Sequence, residues 1–400
     1  MKPSSKPHLF TMQILLLLCI AIACKKESSL QQNSGTFLKT YQTDSVATVL
    51  QVFQMPDGGF ILVSSAGSGH PLLTRTDKYG NFKWNRAIKE QGFPSNTGSI
   101  FLLADGNFIA NASPGSNIIK FDTLGNINSI SISSNGGNLQ FPGLSRQGSD
   151  FLMTASSSGF TISGYSKGTI NKIYIYDKNL TPIRTDSFDD SRIGGHIVFF
   201  YVNSISSTGA YNIFGVKYLN GNSGIDKMFA ATIPSTGNAT ETILDPGTQK
   251  YQDLPTKVTM TKDSDAVLLG QRQSSITYSW CPLLIKVDKS LNIIWEKEYR
   301  ISTATILPYN FSFCRDGGFI IVGSIQNTGF NNAQPYIVKI DQNGNKQWDK
   351  TISSEGSGAF YSGTELNDGS FALVGGTLQF GKGLNGQRIL FIKTGANGKL

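Results

Sequence analysis

The sequence predicts an all-β chain folded as a seven-bladed β-propeller with four-stranded antiparallel blades. Three observations predict it: an apolar motif that recurs seven times, strand-like runs separated by turn residues, and an N-terminal segment that matches the strand missing from the last repeat. The composition agrees, because only 16% of residues are charged and 43 of 400 are Gly. An apolar fraction of 39% is enough to bury a large core and excludes a disordered chain.

The first recurring motif is a turn followed by a short apolar run, as in residues 57–63 (DGGFILV) and 316–322 (DGGFIIV). These runs are continuously apolar, which is typical of strands buried on both faces. Their spacing of 43 to 60 residues suits the blades of a propeller. The first apolar position of the seven copies is occupied by Phe60, Phe108, Phe151, Tyr211, Ala266, Phe319 and Phe371.

A second apolar run follows each copy, and in most copies a tight turn and another strand come after it. Residues 77–84 (DKYGNFKW) and 341–348 (DQNGNKQW) show this turn and strand most clearly. Gly and Asn at the turn predict a hairpin, because both residue types tolerate positive φ. A calcium loop is not predicted, since Lys346 and Ile352 stand where such a loop needs Gly and Glu.

The two ends of the chain complete one blade. The last repeat stops at residues 395–400 (GANGKL), before the strand that reads WDKTI at residues 348–352 in the preceding copy. Residues 36–41 (TFLKTY) match that strand type. We therefore predict that this N-terminal strand pairs with the seventh blade and closes the ring, which removes open sheet edges. The propeller is predicted to be a single domain over residues 36–400.

The N-terminus predicts export from the cytoplasm. Lys2 and Lys6 precede an apolar run over residues 14–23, which is too short to span a bilayer and has the layout of a secretory signal peptide. Cys24 follows the run directly. We predict a signal peptide at residues 1–23 and a lipidated Cys24 with a polar tether over residues 24–35.

Residues 21–24 (AIAC) resemble the lipobox of bacterial lipoproteins, in which the Cys is acylated, for example with palmitate, and becomes the first mature residue. Ala21 departs from the Leu that is more frequent there, and an ordinary signal cleaved after Ala23 is the alternative. The charged residues 25–27 (KKE) look like those of Bacteroidota lipoproteins. The resemblance implies an outer-membrane protein held by lipid, at the cell surface or on the periplasmic face.

The repeats themselves resemble those of secreted bacterial propellers and, more distantly, of quinoprotein-like propellers. The vicinal cysteines of quinoprotein dehydrogenases are absent, so the resemblance implies no quinone, and we predict no cofactor and no metal. Cys281 and Cys314 either form a disulfide or act as two small buried hydrophobic residues, and the second interpretation is favoured. Lys and Arg are scattered singly, which argues against a nucleic-acid partner.

Catalytic patterns are weak. His70 and His196 fall in different repeats, and no Gly-x-Ser-x-Gly motif marks a hydrolase nucleophile. A polysaccharide-degrading hydrolase or lyase stays open as the alternative function, because paired carboxylates could serve it. Its candidate acids lie in the predicted loops between blades: Glu90, Asp186, Asp189, Asp190, Glu241, Asp245, Asp253 and Glu355.

The predicted loops between the second and third strands of each blade are long and carry large aromatic residues. Such rings beside amides suit sugar or protein surfaces, although some could instead cover blade edges. We therefore predict a monomeric, non-catalytic envelope module that binds a glycan or a protein partner, or serves as an assembly scaffold. The predicted ligand-binding residues are Phe160, Tyr165, Tyr218, Tyr278, Trp280, Phe330 and Phe380.

Overall fold

All helical or strand elements that the computed structural model describes are β-strands, with no helix among them, which confirms the all-β prediction. Among the described residues, no helix is long and apolar enough to cross a membrane. The structure describes residues 35–42, 48–65, 71–88, 100–103, 105–112, 117–132, 144–147, 150–156, 170–177, 179–189, 197–204, 210–219, 225–234, 239–244, 253–261, 263–274, 276–302, 304–327, 332–353, 356–377 and 388–400.

The described strands follow one another along the chain. In chain order they are β1 Phe37–Gln42, β2 Thr48–Gln54, β3 Phe60–Ser65, β4 Pro71–Thr76, β5 Phe82–Ala87, β6 Ile100–Leu102, β7 Phe108–Ala112, β8 Asn117–Phe121, β9 Ile127–Ile132, β10 Leu144–Gln147, β11 Asp150–Ser156, β12 Ile170–Tyr176, β13 Pro182–Asp189, β14 Ile197–Ser204, β15 Tyr211–Leu219, β16 Ile225–Ile233, β17 Thr240–Ile243, β18 Asp253–Met260, β19 Ala266–Gln273, β20 Trp280–Val287, β21 Ile293–Glu298, β22 Thr305–Phe313, β23 Phe319–Gln326, β24 Gln334–Ile340, β25 Lys346–Thr351, β26 Gly358–Glu365, β27 Phe371–Thr377 and β28 Arg388–Thr394.

Within the described ranges these strands form seven four-stranded antiparallel sheets. Sheets 1 to 6 each use four consecutive strands, starting with β2–β5 and ending with β22–β25. Sheet 7 contains β26, β27 and β28, and its fourth strand is β1, which pairs Phe37 with Lys393 and Gln42 with Arg388. The seven recurring apolar positions all lie at or next to the start of the second strand of a sheet.

Where the structure describes their side chains, the second strands are buried along nearly their whole length, as the continuous apolar runs predict. In β23 only the last residue, Gln326, is exposed, and in β27 every residue is buried. Their side chains pack against the adjacent sheet, and between sheets 7 and 1 the ring of Phe391 lies 5.0 Å from the rings of both Phe37 and Phe60. Burying each such ring contributes roughly 2 kcal/mol, so these layers between sheets hold the fold together.

The first strands of successive sheets lie against one another, from β10 through β14, β18, β22 and β26 to β2. Five of these first strands contain a β-bulge at the same place, where one residue has no partner on the second strand. The extra residues are Leu50, Phe200, Thr256, Tyr309 and Tyr361. A bulge re-aims side chains, so it decides what the first strands present to their neighbours.

A glycine faces several of these bulges. Gly323 is paired with Pro308 and Gly375 with Phe360, directly beside the extra residue. A Cβ on Gly323 would overlap the carbonyl oxygen of Leu307, and one on Gly375 would overlap that of Ala359. The bulge therefore brings the two backbones so close that only glycine fits there.

Candidate ligand-binding site

The tight turns between third and fourth strands satisfy their own polar groups. Asp77 Oδ1 accepts hydrogen bonds from the backbone N–H groups of Tyr79 and Asn81, both at 2.8 Å, and Asn81 Nδ2 donates to Asp77 Oδ2 at 2.9 Å. The same three bonds recur at Asp122, Asp288 and Asp341, so the hairpin prediction is confirmed. No group of three or more His, Cys, Asp or Glu in the described ranges could hold a metal ion.

A second set of aspartates, in the turn between first and second strands, is paired with cations of the third strand. These ion pairs are Asp57–Arg75, Asp105–Lys120, Asp265–Lys286, Asp316–Lys339 and Asp368–Lys393, at 2.5 to 3.0 Å. Burial raises the pKa of Asp105, but hydrogen bonds from Asn107 and Lys120 outweigh it and lower that pKa to about 2. The charges at this end of the sheets are therefore neutralised locally.

The loop between β19 and β20 is short and is held by its own side chains. Ser274 Oγ accepts hydrogen bonds from the backbone N–H groups of Ile276 and Thr277 at 3.2 Å, and Tyr278 N–H donates to the Ser274 carbonyl at 2.9 Å. Tyr278 adopts a φ of 53°, in the left-handed region. The loop presents Ile276, 85% exposed, and Tyr278, 73% exposed, to solvent. An ordered loop that holds a tyrosine in a strained conformation is a candidate binding element.

The structure places only part of the predicted aromatic set. Trp280 is the first residue of β20 and is partly buried. Tyr218 does not lie in a loop as predicted, because β15 continues past Gly215 and pairs Tyr218 with Asp226. Phe160, Tyr165, Phe330 and Phe380 lie outside the described residues, as does the predicted lipidation site Cys24.

The predicted loop carboxylates are also only partly described. Asp186 and Asp189 belong to β13, Glu241 to β17 and Asp253 to β18, so these four lie in strands instead of loops. Glu90, Asp190, Asp245 and Glu355 lie outside the described residues.

A different carboxylate pair lies beside the Tyr278 loop. Arg272 Nη1 donates to Glu296 at 2.6 Å and to Glu298 at 2.8 Å, and Arg300 contacts Glu298 at 2.7 Å. Burial raises the pKa of Glu298, but the hydrogen bonds from the two arginines outweigh it, so the net shift is downward. This direction is opposite to that of a general acid, which needs a raised pKa.

Neither Cys281 nor Cys314 forms a disulfide and both are buried, as the hydrophobic interpretation predicts. Burial raises the pKa of the Cys314 thiol to about 12. A thiol with so high a pKa stays protonated, so Cys314 packs as a small apolar side chain and is not a nucleophile.

The first strands of sheets 5, 6 and 7 bring together a cation, an amide and two tyrosines. Lys257 Nζ donates to Asn310 Oδ1 at 2.7 Å and to the Phe311 carbonyl at 3.3 Å, and Asn310 Nδ2 donates to the Tyr361 carbonyl at 3.2 Å. The rings of Tyr309 and Tyr361 lie 5.1 Å apart. We call these four residues, Lys257, Tyr309, Asn310 and Tyr361, the inner cluster.

Sequence reasoning missed the inner cluster. Lys257 resembles any exposed strand lysine in the sequence, and its position next to a bulge is set by backbone register. The available signal was the glycine that ends the recurring apolar run, as in Gly323 and Gly375, because a glycine inside a strand often marks a bulge on its partner.

Comparison with known proteins bears on the fold. Neither a protein-family model nor a curated protein sequence matches the chain. A solved streptogramin B lyase covers 89% of this chain and 97% of its own, with 12% identity and a TM-score of 0.52. Virginiamycin B lyase from Staphylococcus aureus gives 11% identity, 89% and 98% coverage and a TM-score of 0.52. The β-propeller domain of Cps50 (Swd1) from Myceliophteria thermophila gives 10% identity, 92% and 99% coverage and a TM-score of 0.51.

The chain therefore has a β-propeller fold, built from four-stranded antiparallel sheets. At identities of 10 to 12% the likeness concerns the fold alone.

Proposed function

We propose that this protein is a cell-envelope lipoprotein whose propeller is a non-catalytic binding or scaffold module for a glycan or a protein partner. The observation that carries the proposal is the pair of exposed apolar side chains, Ile276 and Tyr278, on a loop held by Ser274. A rigid loop loses little conformational entropy on binding, and an exposed ring offers area for a sugar or a protein surface. The carboxylates at the opposite end of the sheet are engaged in their own turns, as Asp288 is with Asn292.

Tyr278→Gly tests the binding role with little risk to folding. Glycine adopts positive φ without strain, so the variant keeps the loop conformation and loses only the ring. We expect saturable binding on a glycan array, or capture of an envelope protein, to fall at least tenfold in Tyr278→Gly. The matched control is Tyr79→Ala, which removes an exposed tyrosine from a tight turn. Equal binding by Tyr278→Gly and the wild type would refute the proposed surface.

The lipid anchor is a separate part of the proposal and rests on the sequence around Cys24. Growth of a bacterial host with a clickable palmitate analogue should label the wild-type chain and leave Cys24→Ser unlabelled. Labelling of Cys24→Ser, or no labelling of either chain, would contradict the anchor and favour the ordinary signal peptide cleaved after Ala23.

We also propose that the seven sheets are the blades of one ring, closed by β1. Equivalent hydrogen bonds support the proposal: Tyr41 Oη donates to the Gly80 carbonyl at 2.6 Å, and Tyr299 Oη donates to the Gly344 carbonyl at 2.9 Å. In each case a tyrosine at the end of the fourth strand of one sheet, within β1 for Tyr41 and directly after β21 for Tyr299, reaches a turn of the next sheet.

Aromatic contacts repeat the same relation. A Cβ on Gly80 would lie 2.6 Å from the ring of Phe37, and one on Gly344 would lie 3.2 Å from the ring of Trp295. Phe37 thus occupies the place of the outer-strand tryptophan. If β1 closes the ring, Tyr41→Phe and Tyr299→Phe should lose similar stability, about 1 kcal/mol each in chemical denaturation. A neutral Tyr41→Phe beside a destabilised Tyr299→Phe would argue against closure.

A further inference from the structure

We propose that the inner cluster is a second binding site, separate from the Tyr278 loop, that takes a small carboxylate-bearing ligand such as a sugar acid. Its polar contact is the Lys257 ammonium, and Tyr309 and Tyr361 supply a ring surface and two phenol groups. The site lies on the first strands of sheets 5, 6 and 7, and Lys257 connects to sheet 7 through Asn310.

Among the described residues, the charge of Lys257 has no acidic partner. Within the described ranges its ammonium contacts only neutral groups, the Asn310 amide, the Phe311 carbonyl and the Phe311 ring 5.7 Å away. Five lysines and arginines of the third strands differ, since they pair with an aspartate, as Lys339 does with Asp316 at 2.6 Å. An ammonium has three N–H donors and two are used here, so one remains for a ligand oxygen.

Burial without a counter-charge makes an anion favourable at this place. Desolvation lowers the pKa of Lys257 to about 8, and no charge among the described residues offsets that effect. The side chain is still mostly protonated at neutral pH but poorly solvated. A bound carboxylate would supply the charge that water supplies to an exposed lysine, and such charge-assisted hydrogen bonds are stronger than neutral ones.

The tyrosines add donors and a contact surface. Tyr309 is 37% exposed, and no protein group among the described residues hydrogen-bonds to the phenol oxygen of Tyr309 or Tyr361. Burial raises the pKa of Tyr361, so its phenol stays protonated and can donate. The bulges at these two positions interrupt the alternation of side chains along β22 and β26.

Asn310 fixes the geometry of the cluster. Its Oδ1 accepts from Lys257 and from the backbone N–H of Phe311 at 2.8 Å, while its Nδ2 donates to the Tyr361 carbonyl. Because the amide is bound at both ends, the ammonium is positioned before any ligand arrives, which limits the entropy cost of binding.

A carboxylate matches the charge better than a phosphate. One lysine supplies one positive charge, and a phosphate dianion would leave a negative charge uncompensated beside a poorly solvated strand. Phosphate sites usually collect several donors from Arg, Lys or backbone N–H groups. A ring-shaped body on the ligand would in addition contact the tyrosine faces, as sugars do.

The test is a calorimetric titration of the full chain, carrying Cys24→Ser for solubility, with glucuronate, glucose and inorganic phosphate. We expect saturable binding of glucuronate, with glucose and phosphate at least tenfold weaker. Lys257→Met should weaken glucuronate binding at least tenfold, and Tyr309→Phe a few-fold. Lys78→Met, which removes an exposed lysine from a turn, is the matched control and should leave binding unchanged.

Several outcomes would overturn the assignment. Glucuronate binding unchanged in Lys257→Met, no glucuronate binding by the wild type, or tighter binding of phosphate than of glucuronate would each do so. The thermal unfolding curve of Lys257→Met shows whether a loss of binding reflects misfolding. If it does, the affinity of Tyr309→Phe for glucuronate is the deciding measurement, and an affinity equal to that of the wild type would overturn the assignment. Tyr278→Gly should bind glucuronate normally, so this site and the loop surface can fail independently.

Discussion

The tight turns between third and fourth strands satisfy their polar groups in a different way from the first strands of the sheets. In the tight turns between third and fourth strands, partners are a few residues apart, as with Asp77 and Asn81. On the first strands, partners come from neighbouring sheets, and Lys257 reaches Asn310 across 53 positions of sequence. These tight turns therefore satisfy their polar groups by local chemistry, whereas the first strands couple sheets and leave a charge and two phenols open to a ligand.

The largest expected effect is at the bulges that make the first strands different. In Gly375→Ala the new Cβ would overlap the Ala359 carbonyl, so the bulge and its sheet must shift. We expect a loss of about 3 kcal/mol in the free energy of unfolding, measured by chemical denaturation. Gly395→Ala is the control, because its Cβ meets only ordinary contacts at 3.5 Å and beyond, and should change stability by less than about 0.5 kcal/mol. Equal effects would mean that the bulge is not constrained.

Lys257→Met removes the first-strand charge that has no acidic partner among the described residues, and so tests what that charge costs. The folded pKa of about 8 lies below the unfolded value, so the unfolded chain binds more protons between pH 8 and about 10.4. Wild-type stability should therefore rise with pH across this window by at most about 1.4 kcal/mol per unit, relative to the variant.

Below pH 8 the cost of the half-buried charge is fully present, so Lys257→Met should be the more stable protein there, by about 1 to 2 kcal/mol. Denaturation midpoints from pH 6 to 10.5 measure both effects. A variant that is less stable at pH 7 and keeps the wild-type pH slope would contradict the cost assigned to Lys257.

Asp77→Ala tests the local hydrogen bonds of the tight turn between β4 and β5. The change removes two backbone hydrogen bonds and one from the Asn81 amide, and we expect a loss of about 1 to 2 kcal/mol in the free energy of unfolding. Asp77→Asn keeps one acceptor oxygen and should lose less than half as much. If the chelator EDTA destabilised the wild type and not Asp77→Ala, the local description of this turn would be wrong.

The smallest effect concerns the ion pair of Asp105 and Lys120. Because the folded pKa of Asp105, about 2, lies below its ordinary value of 3.8, the pair stabilises the fold above pH 4. That contribution should disappear as the pH falls from 4 to 2. The side chain of Asp105 is about half exposed, so solvent screening keeps the effect below about 1 kcal/mol. Asp105→Asn should show a shallower loss of stability in acid, and an unchanged acid profile would show that the pair contributes nothing.

The tight turns between third and fourth strands could be predicted from the sequence, whereas the contacts of the first strands could not, for a physical reason. Turn residues such as Asp341 and Asn345 meet partners within four positions, so their spacing is visible in the chain. The second strands were equally clear, because burial on both faces demands unbroken apolar runs such as that from Phe319.

The first strands lack such a pattern. In β22, Pro308, Asn310 and Ser312 interrupt the apolar residues, and the bulge at Tyr309 shifts the alternation by one position. The contacts of Lys257 depend on how sheets pack, which a single sequence does not display. For the same reason Tyr218 was placed in a loop, although pairing with β16 extends β15 beyond it.

The pairing of β1 with β28 sets an order on folding. Sheets 1 to 6 use consecutive strands, so each can assemble once its own four strands have emerged. Sheet 7 cannot, because Phe37 must wait for Lys393. Until then β1 carries unpaired backbone groups and a buried-type face with Phe37 and Tyr41 exposed. We expect this seam to form last and to open first, so the chain is most vulnerable to aggregation and to proteases in the interval before β1 and β28 pair.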